Sequence, residues 1–309
     1  MTDELYTGPE LMYSGHVGCP GCGATIAMKL ALRALGQHTM VVIPASCWAI
    51  IASSYPQTAL QVPVLNTAFA TTAAACTGLR AALDVRGETS TTVLGWAGDG
   101  GTFDIGFQAL SAAAERGEDF IYICYDNEAY MNTGVQRSSS TPFGARTMTT
   151  PEGSWKRTQK KNMVEILAAH RIPYAATASI AFPEDLESKL RKAKGIRSGL
   201  RFIHLYASCP TGWGYAPAKT VQVARAAVLC NAFPLYEVED GLTYTLNSTG
   251  NLPVAEYLKM QSRFRHLDAE TIQAVQERVD LEWQRLQHKA QTAGLEAAAS
   301  AAAPTVLRK

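Results

Sequence analysis

The chain has 309 residues, 47% of them hydrophobic, and a formal net charge of +1 at pH 7. This charge excludes a nucleic-acid or membrane-surface partner recruited by electrostatics, and the length fits one large α/β domain with extensions. The first residues lack the pattern of a signal peptide and the apolar runs are too short to span a membrane, so we expect a cytoplasmic protein. Seven cysteines, an odd number, argue against a disulfide framework.

The first chemical feature along the chain is a pair of cysteines in a glycine-rich loop. This loop, GHVGCPGCG at Gly15–Gly23, precedes an Ala- and Leu-rich run, Ala24–Leu35, that predicts a helix. Cys19 and Cys22 therefore lie at a helix N-terminus, where the helix dipole and exposed amides stabilise a thiolate. The setting suits a redox dithiol, a pair of zinc ligands or a pair of iron–sulfur ligands.

Two further cysteines follow predicted strands. Cys47 comes after the strand Thr39–Ile43, and Cys209 comes after the strand Arg201–Ala207. A zinc ribbon would need a second close CxxC, and a thioredoxin-like centre needs no third or fourth cysteine. Together the four thiols could ligate a 4Fe–4S cluster. The remaining cysteines are predicted to be core residues: Cys76, Cys124 and Cys230.

The middle of the chain contains a βαβ unit. A β-branched and apolar run at Thr91–Ala97 predicts one strand, and Phe120–Tyr125 predicts a second buried strand. Between them, apolar residues recur at helical spacing from Phe103 to Ala114, and we expect Thr102 or Asp104 to cap this helix. Parallel strands place their carboxyl ends at one edge of the sheet, where doubly wound folds bind ligands.

Polar residues stand at that edge after both strands. A GDGG turn follows the first strand, with Gly98, Asp99, Gly100 and Gly101, and Asn127 follows the second. Oxygens from Asp99, Asn127 and the backbone carbonyl of Ala129 would form half of an octahedral Mg²⁺ site. The glycines expose backbone N–H groups to a diphosphate, whose oxygens would complete the metal shell.

These residues resemble a known family. Gly98-Asp99-Gly100 with Asn127 resembles the thiamine diphosphate motif, in which an Asp, an Asn and a carbonyl two residues on hold Mg²⁺ against the cofactor. The following EAYMNTGVQRSSSTPFGA, together with CPGCG and CPTGWGY, is similar to one branch of that superfamily. That branch is the cofactor- and cluster-binding β subunit of the 2-oxoacid:ferredoxin oxidoreductases.

The resemblance implies site roles and an activity. Asn132 would face the reacting carbon of thiamine diphosphate and hydrogen-bond the substrate, and His16 would contact the phosphate end of the cofactor. The activity would be oxidative decarboxylation of a 2-oxo acid, such as pyruvate or a branched-chain or aryl 2-oxo acid. Electrons would pass through a 4Fe–4S cluster, ligated by Cys19, Cys22, Cys47 and Cys209, to ferredoxin, and the acyl group would usually go to coenzyme A.

The resemblance also implies partners. The glutamate that activates the cofactor would come from an α subunit, and distal clusters would sit on γ/δ-type subunits, so we expect the chain alone to be inactive. A non-redox thiamine diphosphate decarboxylase or synthase is the alternative, because it would share Asp99 and Asn127. Such an enzyme has no need of four convergent cysteines.

The second half of the chain completes the predicted fold. The long polar segment Glu128–Lys161 predicts an active-site wall or lid, with Lys156–Lys161 as a solvated face or a docking patch for an acidic electron carrier. Strands and helices then alternate again, which predicts a doubly wound, mostly parallel sheet. A strand pair turned at Asp240-Gly241 follows, and two helices are predicted after it, Pro253–Leu267 and Glu270–Thr292. We therefore divide the chain into an N-terminal arm (1–14), a cofactor- and cluster-binding domain (15–232) and a C-terminal strand pair with a helical extension (233–309).

Overall fold

One eight-stranded sheet organises the protein, as described by a computed structural model of residues 9–54 and 56–302, without the side chains of 293–302. The strand order is β2-β1-β3-β4-β6-β5-β7-β8. The first six strands run parallel to their neighbours, whereas β7 pairs antiparallel with β5 and β8 pairs antiparallel with β7. The strands are β1 (Thr39–Pro44), β2 (Val64–Thr67), β3 (Thr92–Gly98), β4 (Ile121–Asp126), β5 (Tyr174–Ser179), β6 (Arg201–Tyr206), β7 (Tyr236–Glu239) and β8 (Thr243–Leu246).

Helices cover both faces of the sheet, which explains why β4, β5 and β6 are buried along their whole length. One core contains residues of α1, α6 and α8, and the other contains residues of α3, α4 and α5. The doubly wound, mostly parallel fold is thus confirmed. The helices are α1 (Gly23–Leu35), α2 (Cys47–Ile51), α3 (Thr72–Val85), α4 (Phe107–Glu115), α5 (Met163–Ala169), α6 (Pro183–Gly195), α7 (Pro210–Trp213), α8 (Thr220–Leu229), α9 (Val254–Leu258) and α10 (Ala269–Ala302).

The strand order reverses between β1 and β3. The chain leaves β1 for the edge strand β2 on one side, and it returns to form β3 on the other side of β1. The loops that follow β1 and β3 therefore diverge at the carboxyl edge of the sheet and open a crevice between them. Doubly wound sheets bind their ligands at such a switch point.

The segment after β3 differs from the prediction. A π-helical turn, Gly100–Asp104, precedes α4, and the N-cap of α4 is Gly106, so neither Thr102 nor Asp104 caps the helix. The Thr102 hydroxyl instead donates to the Gly98 carbonyl at 2.8 Å. Asp104 accepts hydrogen bonds from Tyr130 and Ser139, which belong to the segment that follows β4.

The helix predicted over Pro253–Leu267 is also wrong as a single element. The segment forms α9 and, after an extended Gln261, a separate 3₁₀ turn at Ser262–Phe264. The backbone N–H of Ser262 donates to the Gly214 carbonyl at 3.2 Å. A tertiary contact thus takes the hydrogen bond that a continuous helix would have used.

Both predicted ends of the chain pack on the body of the fold where they are described. In the arm, the Tyr13 N–H donates to the Ala59 carbonyl at 2.8 Å. The strand pair turned at Asp240-Gly241 is confirmed as β7 and β8, and it extends the same sheet. Residues 1–8 and 303–309 of the predicted arm and extension lie outside the described residues, and the division into these units stays a prediction. Within the described part of the chain, none of the helices combines the length and apolarity needed to cross a bilayer.

Candidate active site

A cavity of about 140 Å³ lies in the crevice at the switch point. Its wall combines the loop after β1, the turn after β3 and the segment after β4. The lining residues include most of those predicted for cofactor and metal binding: Cys47, Gly98, Asp99, Gly100, Gly101, Asn127, Ala129 and Asn132. The topology therefore brings together residues that are up to 85 positions apart in the sequence, from Cys47 to Asn132.

Three groups in this cavity converge as metal ligands would. One terminal atom of the Asn127 amide lies 2.8 Å from the Ala129 carbonyl oxygen and 3.0 Å from Asp99 Oδ1. With nitrogen at that position, the amide donates to both oxygens. With oxygen there, the amide oxygen lies from each of the other two oxygens at the roughly 3 Å expected between adjacent ligands of an octahedral ion bound at about 2.1 Å. The donor set and its spacing fit Mg²⁺.

The electrostatics of Asp99 favour a bound cation. Its side chain is almost fully buried and accepts a hydrogen bond from Ser138 Oγ at 2.5 Å. Burial, and then the nearby charge of Asp126, raise the pKa of Asp99 well above its ordinary value. A divalent ion would offset both effects, since it stabilises the ionised carboxylate directly.

The neighbouring Asp126 is neutralised by the protein itself. Burial acts to raise its pKa, but Lys160 and His204 outweigh burial and hold the pKa of Asp126 well below its ordinary value. His204 Nε2 lies 2.7 Å from Asp126 Oδ2, and Ser140 Oγ donates to the same oxygen at 2.5 Å. Of the two buried aspartates, Asp99 is therefore the one left to bind a cation.

Three of the four predicted cluster cysteines lie at helix N-termini, and Cys19 lies in the loop that precedes the first of these helices. Cys22 is the N-cap of α1 and its N–H donates to the Cys19 carbonyl at 3.0 Å. Cys47 is the first residue of α2. Cys209 caps α7, and its Sγ accepts a hydrogen bond from the Gly212 N–H at 3.3 Å.

Close backbone contact joins the first and last of these loops. The Gly23 N–H donates to the Ser208 carbonyl at 3.2 Å. Cys22 directly precedes Gly23 in the sequence and Cys209 directly follows Ser208, so this hydrogen bond joins the residues next to the two cysteines. A Cβ on Gly23 would lie only 2.5 Å from the Ser208 oxygen. The second glycine of the CPGCG motif is thus required for this approach.

The thiols also influence one another electrostatically. Burial, and then the other three thiols, raise the pKa of Cys47 to about 12, and burial is the main cause that raises the pKa of Cys209 to about 11. All seven cysteines are free. In the described part of the chain, no group of three or more Cys, His, Asp or Glu side chains is arranged so that it could bind one metal ion.

Comparison with known proteins agrees with this geometry. The model of the thiamine pyrophosphate enzyme C-terminal TPP binding domain matches residues 34–205. Ketoisovalerate oxidoreductase subunit VorB of Pyrococcus furiosus is 49% identical over 297 residues, which cover 92% of this chain and 95% of the relative. Pyruvate synthase subunit PorB of Methanothermobacter thermautotrophicus is 50% identical over 281 residues, 90% of this chain and 97% of the relative. The chain belongs to the β-subunit family of the 2-oxoacid:ferredoxin oxidoreductases.

A solved structure shows the same fold. The 2-oxoglutarate:ferredoxin oxidoreductase from Magnetococcus marinus matches 70% of this chain and 79% of its own, with a TM-score of 0.55 and 19% sequence identity. The two chains therefore share a fold, and the sequence match identifies the thiamine diphosphate-binding domain of this chain. The chain is a subunit of an oxidoreductase.

Three consecutive serines connect this β subunit's long loop to its aspartates. From the sequence, Ser138–Ser140 belong only to the long polar segment Glu128–Lys161. In the structure Ser138 Oγ donates to Asp99, Ser139 donates to Asp104 through its N–H (3.1 Å) and its hydroxyl, and Ser140 Oγ donates to Asp126. The Tyr130 hydroxyl also donates to Asp104 at 2.8 Å. Residues 129–133 of the segment Glu128–Lys161 line the cavity, and the role of the whole segment as an active-site wall or lid stays a prediction.

The prediction of a solvated face at Lys156–Lys161 is wrong for Lys156 and Lys160, whereas the other four residues are exposed and docking of an electron carrier there stays a prediction. Lys156 is buried, and its Nζ donates to the carbonyls of Ser139 (3.3 Å) and Thr141. Lys160 Nζ donates to Glu128 Oε1 at 3.1 Å and lies 3.5 Å from Asp126 Oδ2. These lysines fix the loop to the site, and no local sequence signal identifies their partners.

The two residues assigned only by resemblance differ in position. Asn132 lines the cavity and is exposed to solvent, as a residue that contacts substrate must be. His16 is half-buried in the loop before Cys19, and its Nδ1 accepts a hydrogen bond from the Gly18 N–H at 3.2 Å. Among the residues described, His16 is not part of the cavity lining, so its contact with a phosphate stays a prediction.

Proposed function

We propose that this chain is the β subunit of a hetero-oligomeric enzyme that oxidatively decarboxylates a 2-oxo acid, with thiamine diphosphate, Mg²⁺ and a 4Fe–4S cluster as cofactors. The observation that carries the proposal is the position of Cys47, which lines the same cavity as Asp99 and the glycine turn. A thiol of the cluster set and the ligands of the cofactor's metal thus share one wall.

Asp99, Asn127 and Ala129 would hold Mg²⁺ through their oxygens, and Gly98, Gly100 and Gly101 would lie against the diphosphate. This assignment is supported by the 2.8 and 3.0 Å separations within the ligand set and by the buried carboxylate of Asp99. His16 would approach the phosphate end from the neighbouring loop. The exposed amide of Asn132 would orient the substrate at the open side of the cavity.

Cys19, Cys22, Cys47 and Cys209 would hold the cluster. When bound, thiamine diphosphate supplies the carbanion chemistry that releases CO₂ from a 2-oxo acid, and a cysteine-ligated cluster removes electrons one at a time at low potential. The chain's own contribution is to keep the two sites adjacent. The hydrogen bond between Gly23 and Ser208 and the position of Cys47 in the cavity wall support this contribution.

The cavity lining favours a substrate with one carboxylate. Of the described residues that line it, none is Lys, Arg or His, so this chain offers no cation for the second carboxylate of a dicarboxylic substrate. Phe69, Tyr125, Tyr130 and Met131 supply an apolar surface instead. We infer pyruvate, or a related branched-chain or aryl 2-oxo acid, as substrate.

Partner subunits complete the reaction. Asp99 is the one carboxylate among the described lining residues, and it is assigned to the metal. As the family resemblance implies, the glutamate that activates the cofactor would come from another chain, which we assign to an α subunit. Distal clusters on γ/δ-type subunits would pass electrons to ferredoxin or another carrier, and coenzyme A would accept the acyl group.

Anaerobic turnover of the complex purified through this chain tests the proposal. With pyruvate or 2-oxoisovalerate and coenzyme A, we expect reduction of a viologen or ferredoxin, with CO₂ and the acyl-coenzyme A formed together. The isolated chain should show no turnover. Release of CO₂ without reduction of an acceptor would contradict the proposal and indicate a non-redox decarboxylase.

A further inference from the structure

The turn that carries two of the three metal ligands has an unusual backbone. Glu128, between Asn127 and Ala129, has a φ of +63°, a left-handed conformation that few non-glycine residues adopt. Across this residue the Asn127 amide comes within 2.8 Å of the Ala129 carbonyl oxygen. Such a conformation persists when surrounding contacts determine it.

The Glu128 side chain is held by a buried ion pair. Arg263 Nη2 donates to Glu128 Oε2 at 2.5 Å, and both side chains are only 4% exposed. Lys160 holds the other carboxylate oxygen at 3.1 Å. Removal of either partner of such a pair leaves a charge without compensation, so the pair strongly restricts where Glu128 can lie.

The same arginine also touches the residue that holds Asn127. The Arg263 guanidinium lies 3.8 Å from the centre of the Trp213 ring, and the Trp213 indole N–H donates to the Asn127 carbonyl at 2.8 Å. Trp213 belongs to α7, the helix capped by Cys209. Glu128 and the Asn127 backbone are therefore held by two side chains stacked on each other.

We propose that Arg263 is a positioning residue for the metal-binding turn, acting through Glu128 and Trp213 to keep the oxygens of Asn127 and Ala129 directed at Asp99. The inference rests on the proposed function, which places Mg²⁺ and thiamine diphosphate at this turn. Among the described residues, Arg263 is outside the cavity lining. It therefore acts on the metal without touching it, as outer-shell residues do.

The test is the Mg²⁺ affinity of the purified complex, stripped of metal and titrated with Mg²⁺ at saturating thiamine diphosphate in a calorimeter. Arg263→Lys keeps the charge but removes the planar group that stacks on Trp213 and reaches Glu128. We expect Mg²⁺ to bind about 10–100-fold more weakly. The matched control is Arg80→Lys, because Arg80 is equally buried and pairs with Asp84 and the Thr91 carbonyl, before β3 begins. This control should bind Mg²⁺ as the wild type does.

A second variant keeps the test decisive if Arg263→Lys does not assemble. Glu128→Gln preserves the shape of the side chain and removes the charge that Arg263 holds, so it should weaken Mg²⁺ binding similarly. If both changes assemble, combining them should cost less than the sum of the two single effects, because both break the ion pair between Arg263 and Glu128. Wild-type Mg²⁺ affinity in an assembled Arg263→Lys or Glu128→Gln complex would overturn the role of Arg263. A wild-type complex without Mg²⁺-dependent thiamine diphosphate binding would overturn the proposed function itself.

Discussion

Gly23→Ala should separate the two cluster-binding loops. The added Cβ would meet the Ser208 oxygen at 2.5 Å, whereas ordinary contact begins at 3.4 Å, so the loops must move apart by roughly 1 Å. The displacement would also stretch the 3.2 Å hydrogen bond from Gly23 to Ser208. Overpacking of this kind costs about 1–3 kcal/mol, which exceeds the gain of up to about 1 kcal/mol from alanine in a helix. With that gain subtracted in full, we expect a net loss of up to roughly 2 kcal/mol.

The assay combines the iron content of the anaerobically purified complex, its electron paramagnetic resonance spectrum after reduction, and its thermal unfolding midpoint. Gly23→Ala should lower the iron content and the midpoint together, because Cys22 and Cys209 can no longer face one cluster. Gly78→Ala is the control, since Gly78 lies in α3 with no atom within 4 Å of an added Cβ. That variant should be stabilised by roughly 0.5–1 kcal/mol with normal iron. Normal iron and an unchanged spectrum in Gly23→Ala would refute the reasoning.

Three further changes probe the cavity and its wall. Asp99→Asn should weaken Mg²⁺-dependent thiamine diphosphate binding by more than the roughly 10–100-fold that loss of an outer-shell residue causes, and the complex should retain its iron. Unchanged binding would show that Asp99 is not a metal ligand. Asn132→Ala should lower kcat roughly 100-fold while thiamine content stays constant, and a normal kcat would exclude its contact with the reacting substrate. Burial, and then the charges of Arg137 and Lys160, lower the pKa of Lys156 to about 8 from 10.5. Between these values the unfolded chain binds more protons than the folded chain, so the contribution of Lys156 to stability should rise with pH, by about 3 kcal/mol in total. The difference in unfolding free energy between wild type and Lys156→Met, measured by denaturant titration at pH 7.5 and 10.5, should grow accordingly, and a constant difference would contradict the burial of the charge.

The sequence predicts the sheet and the location of the site well because both depend on local patterns. Continuous apolar runs mark the buried strands β3, β4 and β6, and the parallel topology then brings their carboxyl ends to one edge. Motifs that follow those strands must meet there. This explains why the sequence predicts that Asp99 and Asn127, which directly follow the adjacent strands β3 and β4, lie close together.

The errors concern contacts between residues far apart in the chain. A run of basic residues is usually solvated, yet Lys156 and Lys160 find carbonyls and carboxylates supplied by a loop and a strand end earlier in the sequence. The helix expected to continue past α9 stops because Ser262 bonds to Gly214. The ion pair of Arg263 with Glu128 joins residues 135 positions apart, and nothing in either local sequence indicates the partner.

Cofactor analysis of the complex purified through this chain tests the central claim most directly. Anaerobic measurement of iron, acid-labile sulfide and thiamine should show about four iron atoms per chain at this site, together with thiamine diphosphate. In a Cys209→Ser complex the iron at this site should be lost while thiamine diphosphate stays bound. Thiamine diphosphate without iron at this site in the wild-type complex would contradict the account and identify a non-redox enzyme whose four cysteines are structural.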